Sequence, residues 1–307
     1  MRKIIGVGET VLDIIFRDDQ PVKAVPGGSA FNAIVSIGRA GLPCLMATEV
    51  GDDHVGDIVT KFLEDNNVDT SYVFRHVGTK SHLSLAFLDH NNDAQYQFYK
   101  DHAVLSMHKN MPEVEKGDVV LFGSYFAINP KLRDYVATFL SEAKEKGAIL
   151  YYDINFRASH VKDIPETIDN ILDNMRMASV VRSSAEDFEI LFGLTDVDEI
   201  YRRHIAPYCE CFIYTNAAKP IELRTPVASA SFPAKAIKTV STIGAGDNFN
   251  AGFCYGLVKD NVDEASFLAT MPLERWRPLI ASGQLFSAAV CQSLDNYIPK
   301  DLLEGYE

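Results

Sequence analysis

The sequence has little cysteine, no surplus of basic charge and no long unbroken apolar run, and each absence closes off a class of function. Five cysteines (Cys44, Cys209, Cys211, Cys254 and Cys291) are spread through 307 residues. Only Cys209 and Cys211 lie close together, and a lone C-x-C lacks the second pair that a structural zinc site needs. All five read as reduced thiols of a cytoplasmic protein. Lysine and arginine number 29 against 42 aspartates and glutamates, a formal net charge of −13. That balance argues against nucleic acid or an anionic membrane as partner, because both attract a positive field. A phosphorylated ligand remains open, since a few local donors can hold phosphate inside an acidic protein. With no 18-residue apolar stretch, no bilayer span is expected. The opening "MRKIIGVGETVLDIIF" is interrupted by Glu9 and Asp13 and is followed by no small-residue cleavage site, so it does not read as a secretion signal. The pattern G-x-x-x-x-G-K-[ST] is missing, which removes the P-loop phosphotransferases. The eight histidines show no H-x-x-x-H or H-E-x-x-H spacing, so surface or capping roles suffice for them.

What is present is ordinary globular material, 47% hydrophobic and 23% charged. Short apolar runs at 4–7, 45–50, 119–122, 149–152, 179–181 and 212–214 are bounded by Gly, Asp or Asn and read as buried strands. Amphipathic stretches at 29–40, 55–66, 130–146, 164–177 and 187–192 read as helices between them. The alternation predicts an α/β fold, a doubly wound, mostly parallel sheet sandwiched by helices. Two segments break the rhythm. Residues 11–24 read as extended, and 81–100 as two strand-like runs around a turn at Asn91, Asn92 and Asp93, residues that tolerate positive φ. These strands have no helix partner and are expected to form a small β-sheet lid projecting from the sandwich.

Three loops carry chemistry. "IIGVGETV" begins like a dinucleotide site, but the third glycine would fall at Val11 and no helix pattern follows. "VPGGSAFNAIVSIGRAG" places Gly27 and Gly28 in a turn, Ser29 as a helix cap and Asn32 one turn in. Asn32 there can bond a polyol hydroxyl or simply face solvent. "TVSTIGAGDNFNAG" puts Gly244, Ala245 and Gly246 ahead of Asp247 at the mouth of a helix through 255. A helix start leaves N–H groups unpaired and carries a positive partial charge, and three small residues would let an anion reach it. Asp247 in that first turn either complements the helix dipole or stands as a base beside a phosphoryl site.

In order and approximate spacing, the 8–13 stretch, the 26–32 loop, "GDDHVG" at 51–56, "FYK" at 98–100, "DINFR" at 153–157 and "GAGDNFNAG" resemble the ribokinase-like (PfkB-type) carbohydrate kinases. The resemblance covers nearly the whole of 1–307 and points to the branch acting on fructose or 2-keto-3-deoxygluconate. It implies one ribokinase-like α/β domain with lid strands inserted at about 11–24 and 81–100, an ATP-dependent sugar kinase, and a homodimer through the lid sheet. Asp247 would be the base, with Gly244, Ala245 and Gly246 as the anion hole for the γ-phosphate. Asp13, Gly27, Gly28 and Asn32 would hold the sugar. Lys100 and Arg157 would reach substrate, Arg157 alternatively serving a structural ion pair. Ser184, Asp187, Thr215 and Asn296 would line the nucleotide, and Glu186 or Asp187 would serve Mg²⁺ through water.

The chain also departs from the family pattern. Ser241 stands where relatives carry an Asp that helps bind a monovalent cation, which counts against potassium activation. After Thr215, Ala217 and Pro220 replace glycines where the backbone approaches the nucleotide. Ala217 disfavours positive φ, and Pro220 removes an N–H. Asp295 and Asn296 replace a Gly-Ala pair. These departures motivate a second reading, a catalytically degenerate sugar-binding protein on the same fold.

Overall fold

The computed structural model describes residues 2–88, 94–99 and 111–304. Thirteen strands follow in chain order: β1 (Ile4–Val7), β2 (Val11–Arg17), β3 (Gln20–Gly27), β4 (Cys44–Gly51), β5 (Val73–His76), β6 (Leu83–Leu88), β7 (Ala94–Tyr99), β8 (Val119–Gly123), β9 (Ile149–Asp153), β10 (Val180–Ser184), β11 (Phe212–Thr215), β12 (Ile221–Arg224) and β13 (Ser229–Phe232). Seven longer helices accompany them: α1 (Ser29–Arg39), α2 (His54–Glu64), α3 (Arg133–Glu145), α4 (Ile164–Met177), α5 (Ala185–Phe192), α6 (Ala245–Lys259) and α7 (Leu273–Cys291).

Nine strands form the main sheet in the order β13-β12-β11-β10-β9-β8-β1-β4-β5. The pairs from β11 through β5 are parallel, while β12 and β13 run antiparallel at one edge. The central strands are buried along their whole length, as sheets covered on both faces require. Alternate residues feed two separate cores. Ile4, Tyr151, Phe253 and Trp276 pack on one face, and Ile5, Phe122, Tyr152 and Phe188 on the other. From β1 the chain moves out to β4 and β5, then returns to β8 on β1's other side. The loops after β1 and β8 therefore part, and a crevice opens at the carboxyl ends of the strands. Across it the Ser29 and Ser124 hydroxyls meet at 2.6 Å.

The lid is a separate four-stranded sheet, β3-β2-β6-β7. Its first pair corrects the sequence reading. Residues 11–24 are not one extended segment, because Asp18 and Asp19 adopt φ of 50° and 58° and fold them into an antiparallel hairpin. β2 also pairs in parallel with β6, and β6 antiparallel with β7. The expected turn at Asn91, Asn92 and Asp93 lies outside the described residues. Ser29 is not the cap of α1. Gly28 takes that place with φ 125°, leaving Ser29 as the first helical residue. All five cysteines are free and buried. His76 is buried too, its ring 3.3 Å from the Glu49 carboxylate, so it is no surface histidine. Among the described residues, no helix is long and apolar enough to cross a membrane.

Candidate active site

The amino end of α6 is built as the sequence predicts. Gly244 caps it in the left-handed region at φ 75°, with no side-chain cap, and Asp247 is the third residue of the helix. Asn248 fixes the turn: its Nδ2 donates to the Gly244 and Asn296 carbonyls, both at 2.8 Å. Its Oδ1 accepts from Ser36 of α1, and Ser36 Oγ in turn accepts the Ile298 N–H at 3.1 Å. The turn is thus tied to α1 and to the C-terminal loop. Of the expected anion-hole donors, the Ala245 N–H is already given to the Thr242 carbonyl at 3.2 Å, a bond an incoming anion must compete with.

The sugar-side residues converge on this point. Asp13 leaves β2 and accepts a short hydrogen bond from Ser84 of β6. A Cβ on Gly27 would stand 2.5 Å from Asp13 Oδ2, and one on Gly28 would collide with the Glu9 carbonyl. Gly28 is therefore required by close approach to backbone and by its φ of 125°, while Gly27 leaves room for the Asp13 carboxylate. Tyr297 donates to the Pro26 carbonyl and pins the loop from below. Asn32, buried on α1, donates from Nδ2 to Asp247 Oδ2 at 2.8 Å. Its Oδ1 is buried with no partner among the described residues. Asn32 therefore does not face solvent; it joins the glycine loop to the predicted base.

Burial sets the electrostatics. It pushes the Asp13 carboxyl up to about 6, opposed by the Ser84 hydrogen bond. Burial likewise pushes Asp247 up to about 6, with Asp153 adding to the rise. The Asn32 hydrogen bond and the cations Arg157 and Arg182 oppose it. Arg157 is exposed and its field falls on Asp247, and no ion pair of its own is found among the described residues.

Arg182 escaped the sequence reading, which ended its strand at Val181. The side chain is buried in the middle of β10, with Nη1 donating to Asp153 at 3.0 Å and Nη2 to the Thr215 hydroxyl at 2.6 Å. Asp153 also accepts from Asn250 of α6 at 2.7 Å, and Asn250 accepts from Tyr151 at 2.9 Å. The signal was a lone cation directly after an apolar run, inside a strand where burial demands a partner.

The nucleotide-side residues are less convergent. Ser184 and Asp187 form a capping box at the start of α5. Asp187 is buried, and its oxygens accept from the Phe156 N–H at 2.8 Å, from the Ser184 N–H at 2.6 Å and from the Ser183 and Ser184 hydroxyls. With these four hydrogen bonds Asp187 serves the cap of α5. Its neighbour Glu186 is the exposed one. Thr215 spends its hydroxyl on Arg182. Ala217, exposed in the following turn, adopts φ 46°, a positive φ despite its side chain. Asn296 offers its carbonyl to Asn248 and lies against Gly244. Ser241 Oγ accepts the Ile243 N–H at 3.2 Å and brings no charge. Lys100 lies outside the described residues. Among the described residues, no group of three or more His, Cys, Asp or Glu could hold a metal.

Known proteins resemble this chain along nearly its whole length. The profile described as pfkB family carbohydrate kinase matches residues 1–295. A fructokinase of Rhizobium leguminosarum bv. trifolii is 28% identical over 270 residues, spanning 84% of this chain and 81% of the relative. Among solved structures, fructokinase with bound ATP from Xylella fastidiosa superposes with a TM-score of 0.84 at 19% identity, covering 99% of this chain and 98% of that one. Aminoimidazole riboside kinase from Salmonella enterica, complexed with aminoimidazole riboside and an ATP analog, gives 0.81 at 21% identity, with both chains fully covered. The two structures establish the fold.

Proposed function

The chain belongs to the pfkB family of carbohydrate kinases, and on that premise we propose that it transfers the γ-phosphoryl group of ATP to a hydroxyl of fructose or a related keto-hexose or keto-sugar acid. One observation carries the reading. Asn32 bridges the sugar loop to Asp247, and its buried Oδ1 awaits a donor such as a sugar hydroxyl.

In this reading Asp13, Asn32 and the backbone of Gly27 and Gly28 bind the sugar and turn one hydroxyl toward Asp247. With its pKa raised to about 6, Asp247 is ionised at neutral pH yet basic enough to accept a proton. The hydroxyl oxygen forms a bond to phosphorus as the bond from phosphorus to the ADP oxygen breaks, and the hydroxyl proton passes to Asp247. The unpaired N–H groups at the start of α6 face the charge on the transferring group. Arg157 adds a cation for phosphate or for a sugar acid's carboxylate. Mg²⁺ would supply charge neutralisation on the phosphates. The residues fit an ion held mainly by phosphate and water, with Glu186 as the outer carboxylate. Val22, Phe98 and Tyr99 leave apolar surface exposed on the lid, which supports a homodimer through that sheet.

The second reading, a sugar-binding protein without turnover, draws on Thr215 being held by Arg182 and on Pro220. Ala217 weighs against it, because its backbone adopts the positive φ that a glycine there would take. ADP release with Mg-ATP would be followed over fructose, ribose, 2-keto-3-deoxygluconate, tagatose phosphate and adenosine, with and without potassium. Sugar-dependent release is expected, indifferent to potassium. Sugar binding without any release would replace the kinase by the degenerate binder.

A further inference from the structure

We propose that Arg182 is a positioning residue for phosphoryl transfer, a fixed positive charge held directly behind the 244–246 turn and beside Asp247. The inference rests on the kinase reading of that turn. It begins with Gly246. A Cβ there would stand 3.1 and 3.2 Å from Nη2 and Nη1 of Arg182, so the glycine has a guanidinium against its inner side. Gly246 is small on both accounts: an anion needs its outer side open, and Arg182 occupies the inner one.

The charge is placed with care. Arg182 is buried, which works against its charge, but Asp153, the Tyr151 hydroxyl and Asp187 outweigh that and hold its pKa above the ordinary value, so it stays protonated. Asp153 balances it, but one Asp153 oxygen binds Nη1 and the other Asn250. What meets Gly246 is the guanidinium and not the carboxylate. Nε is buried without a hydrogen-bond partner among the described residues, so the side chain is not arranged to satisfy all its own donors. A purely structural ion pair gains nothing from lying under a helix start whose N–H groups are already positive. A site for an incoming phosphoryl anion does, since a buried charge acts there through low dielectric and without reorganisation. The same field falls on Asp247. The charged groups facing that carboxyl are Asp153 from β9, Arg157 from the loop after β9 and Arg182 from β10, with Asn32 of α1 as its hydrogen-bond donor. Arg182 also holds Thr215 at the end of β11, so one side chain joins the base to the nucleotide-side strand.

The test compares Arg182→Met and Arg182→Lys in the full chain. Arg182→Met is expected to lower kcat about 100-fold, as loss of a preorganised charge does, with KM for the sugar changed less than about threefold. The acidic limb of its kcat–pH profile should move up by about one unit, because a cation that favours the ionised carboxylate is gone. Arg182→Lys should recover most of kcat. The carboxyl ¹³C resonance of Asp247, identified by its loss in Asp247→Asn, should titrate higher in Arg182→Met by a similar amount. Should Arg182→Met fail to fold, Asp153→Asn with Arg182→Met removes both buried charges together, and the same loss of kcat is expected. A folded variant with wild-type kcat and an unmoved Asp247 resonance overturns the proposal. The resonance needs no substrate. A wild-type chain without turnover would therefore sink the kinase reading, while the titration still decides whether Arg182 acts on Asp247.

Discussion

The sugar side and the nucleotide side of the crevice are built on different terms. On the sugar side, Asn32 and Asp247 are buried and Asp13 is half-buried, all three hydrogen-bonded to side chains of other elements, and two glycines sit in close approach to their neighbours. Nothing there can change alone. On the nucleotide side, Ala217 and Pro220 lie in an exposed turn, and Asp295 reaches out to Lys23 of the lid at 2.8 Å in an exposed pair. Such positions tolerate substitution because water satisfies what a neighbour does not. Side chains coupled by burial constrain one another, while those in solvent can vary singly. Departures in the nucleotide loop are therefore weak evidence of lost activity.

The largest expected effect follows from the most coupled residue. Asp247→Asn should lower turnover by about 10²–10⁴-fold, the usual contribution of a general base, while sugar binding persists. The same change should stabilise the protein. Burial lifts the folded-state pKa of Asp247 to about 6, so its ionisation above that pH works against folding. Below the unfolded value the group is protonated in both states and the term vanishes. Asparagine is neutral throughout, so the variant should gain about 2–3 kcal/mol near pH 8, the margin shrinking as pH falls through 6 toward 4. Chemical denaturation at several pH values measures this. A variant less stable than wild type at pH 8 would mean that Asp247 is a structural anion and not a strained base.

The carboxylates at the start of α5 sharpen the contrast. Asp187→Ala removes the acceptor of the Phe156 and Ser184 N–H groups and should cost about 2–3 kcal/mol of stability. Glu186→Gln should leave stability alone and raise the Mg²⁺ concentration needed for half-maximal turnover. Unfolding curves beside a Mg²⁺ titration separate the two, and an equal loss of stability in both would erase the distinction.

Much of this was legible in the sequence because it is local. Buried parallel strands announce themselves as short apolar runs, and the turn before Asp247 lies within four consecutive residues. What pairs at long range was not legible. No spacing rule brings Asn32 to Asp247 or Arg182 to Gly246, since both contacts come from the strand order. Two misreadings had local signals that were passed over. "SAED" at 184–187 has the form of a capping box, with its acid at the third helical position, a local role the sequence reading left out. Asp18 and Asp19 mark a hairpin turn, but apolar residues on both sides let the segment pass as one extended run. The short antiparallel strands β12 and β13 gave four residues each, too few for a period to show.

Gly27→Ala acts on the sugar side at middle size. Its Cβ would fall 2.5 Å from Asp13 Oδ2, so the carboxylate must leave its place beside Ser84. Losing a charged hydrogen bond to the sugar should raise KM roughly 10–100-fold, with kcat less affected. A KM for sugar within error of wild type would remove Asp13 from the binding set.

The smallest effect belongs to the solvent-exposed turn and tests the comparison from its other side. Ala217 sits at φ 46°, a conformation that costs an L-residue about 1–2 kcal/mol and glycine almost nothing. Glycine also loses more freedom on folding, by about 0.5–1 kcal/mol, so the two terms partly cancel. Ala217→Gly should therefore raise Tm only slightly, by about 1–2 °C for a chain of this size. The KM for ATP should hold or fall a little, since the backbone already has the shape a glycine would give. A fall in Tm would mean that the alanine methyl makes a contact the turn depends on. A large gain in ATP affinity would mean that the methyl obstructs the nucleotide, and that this half of the crevice has been altered by more than drift.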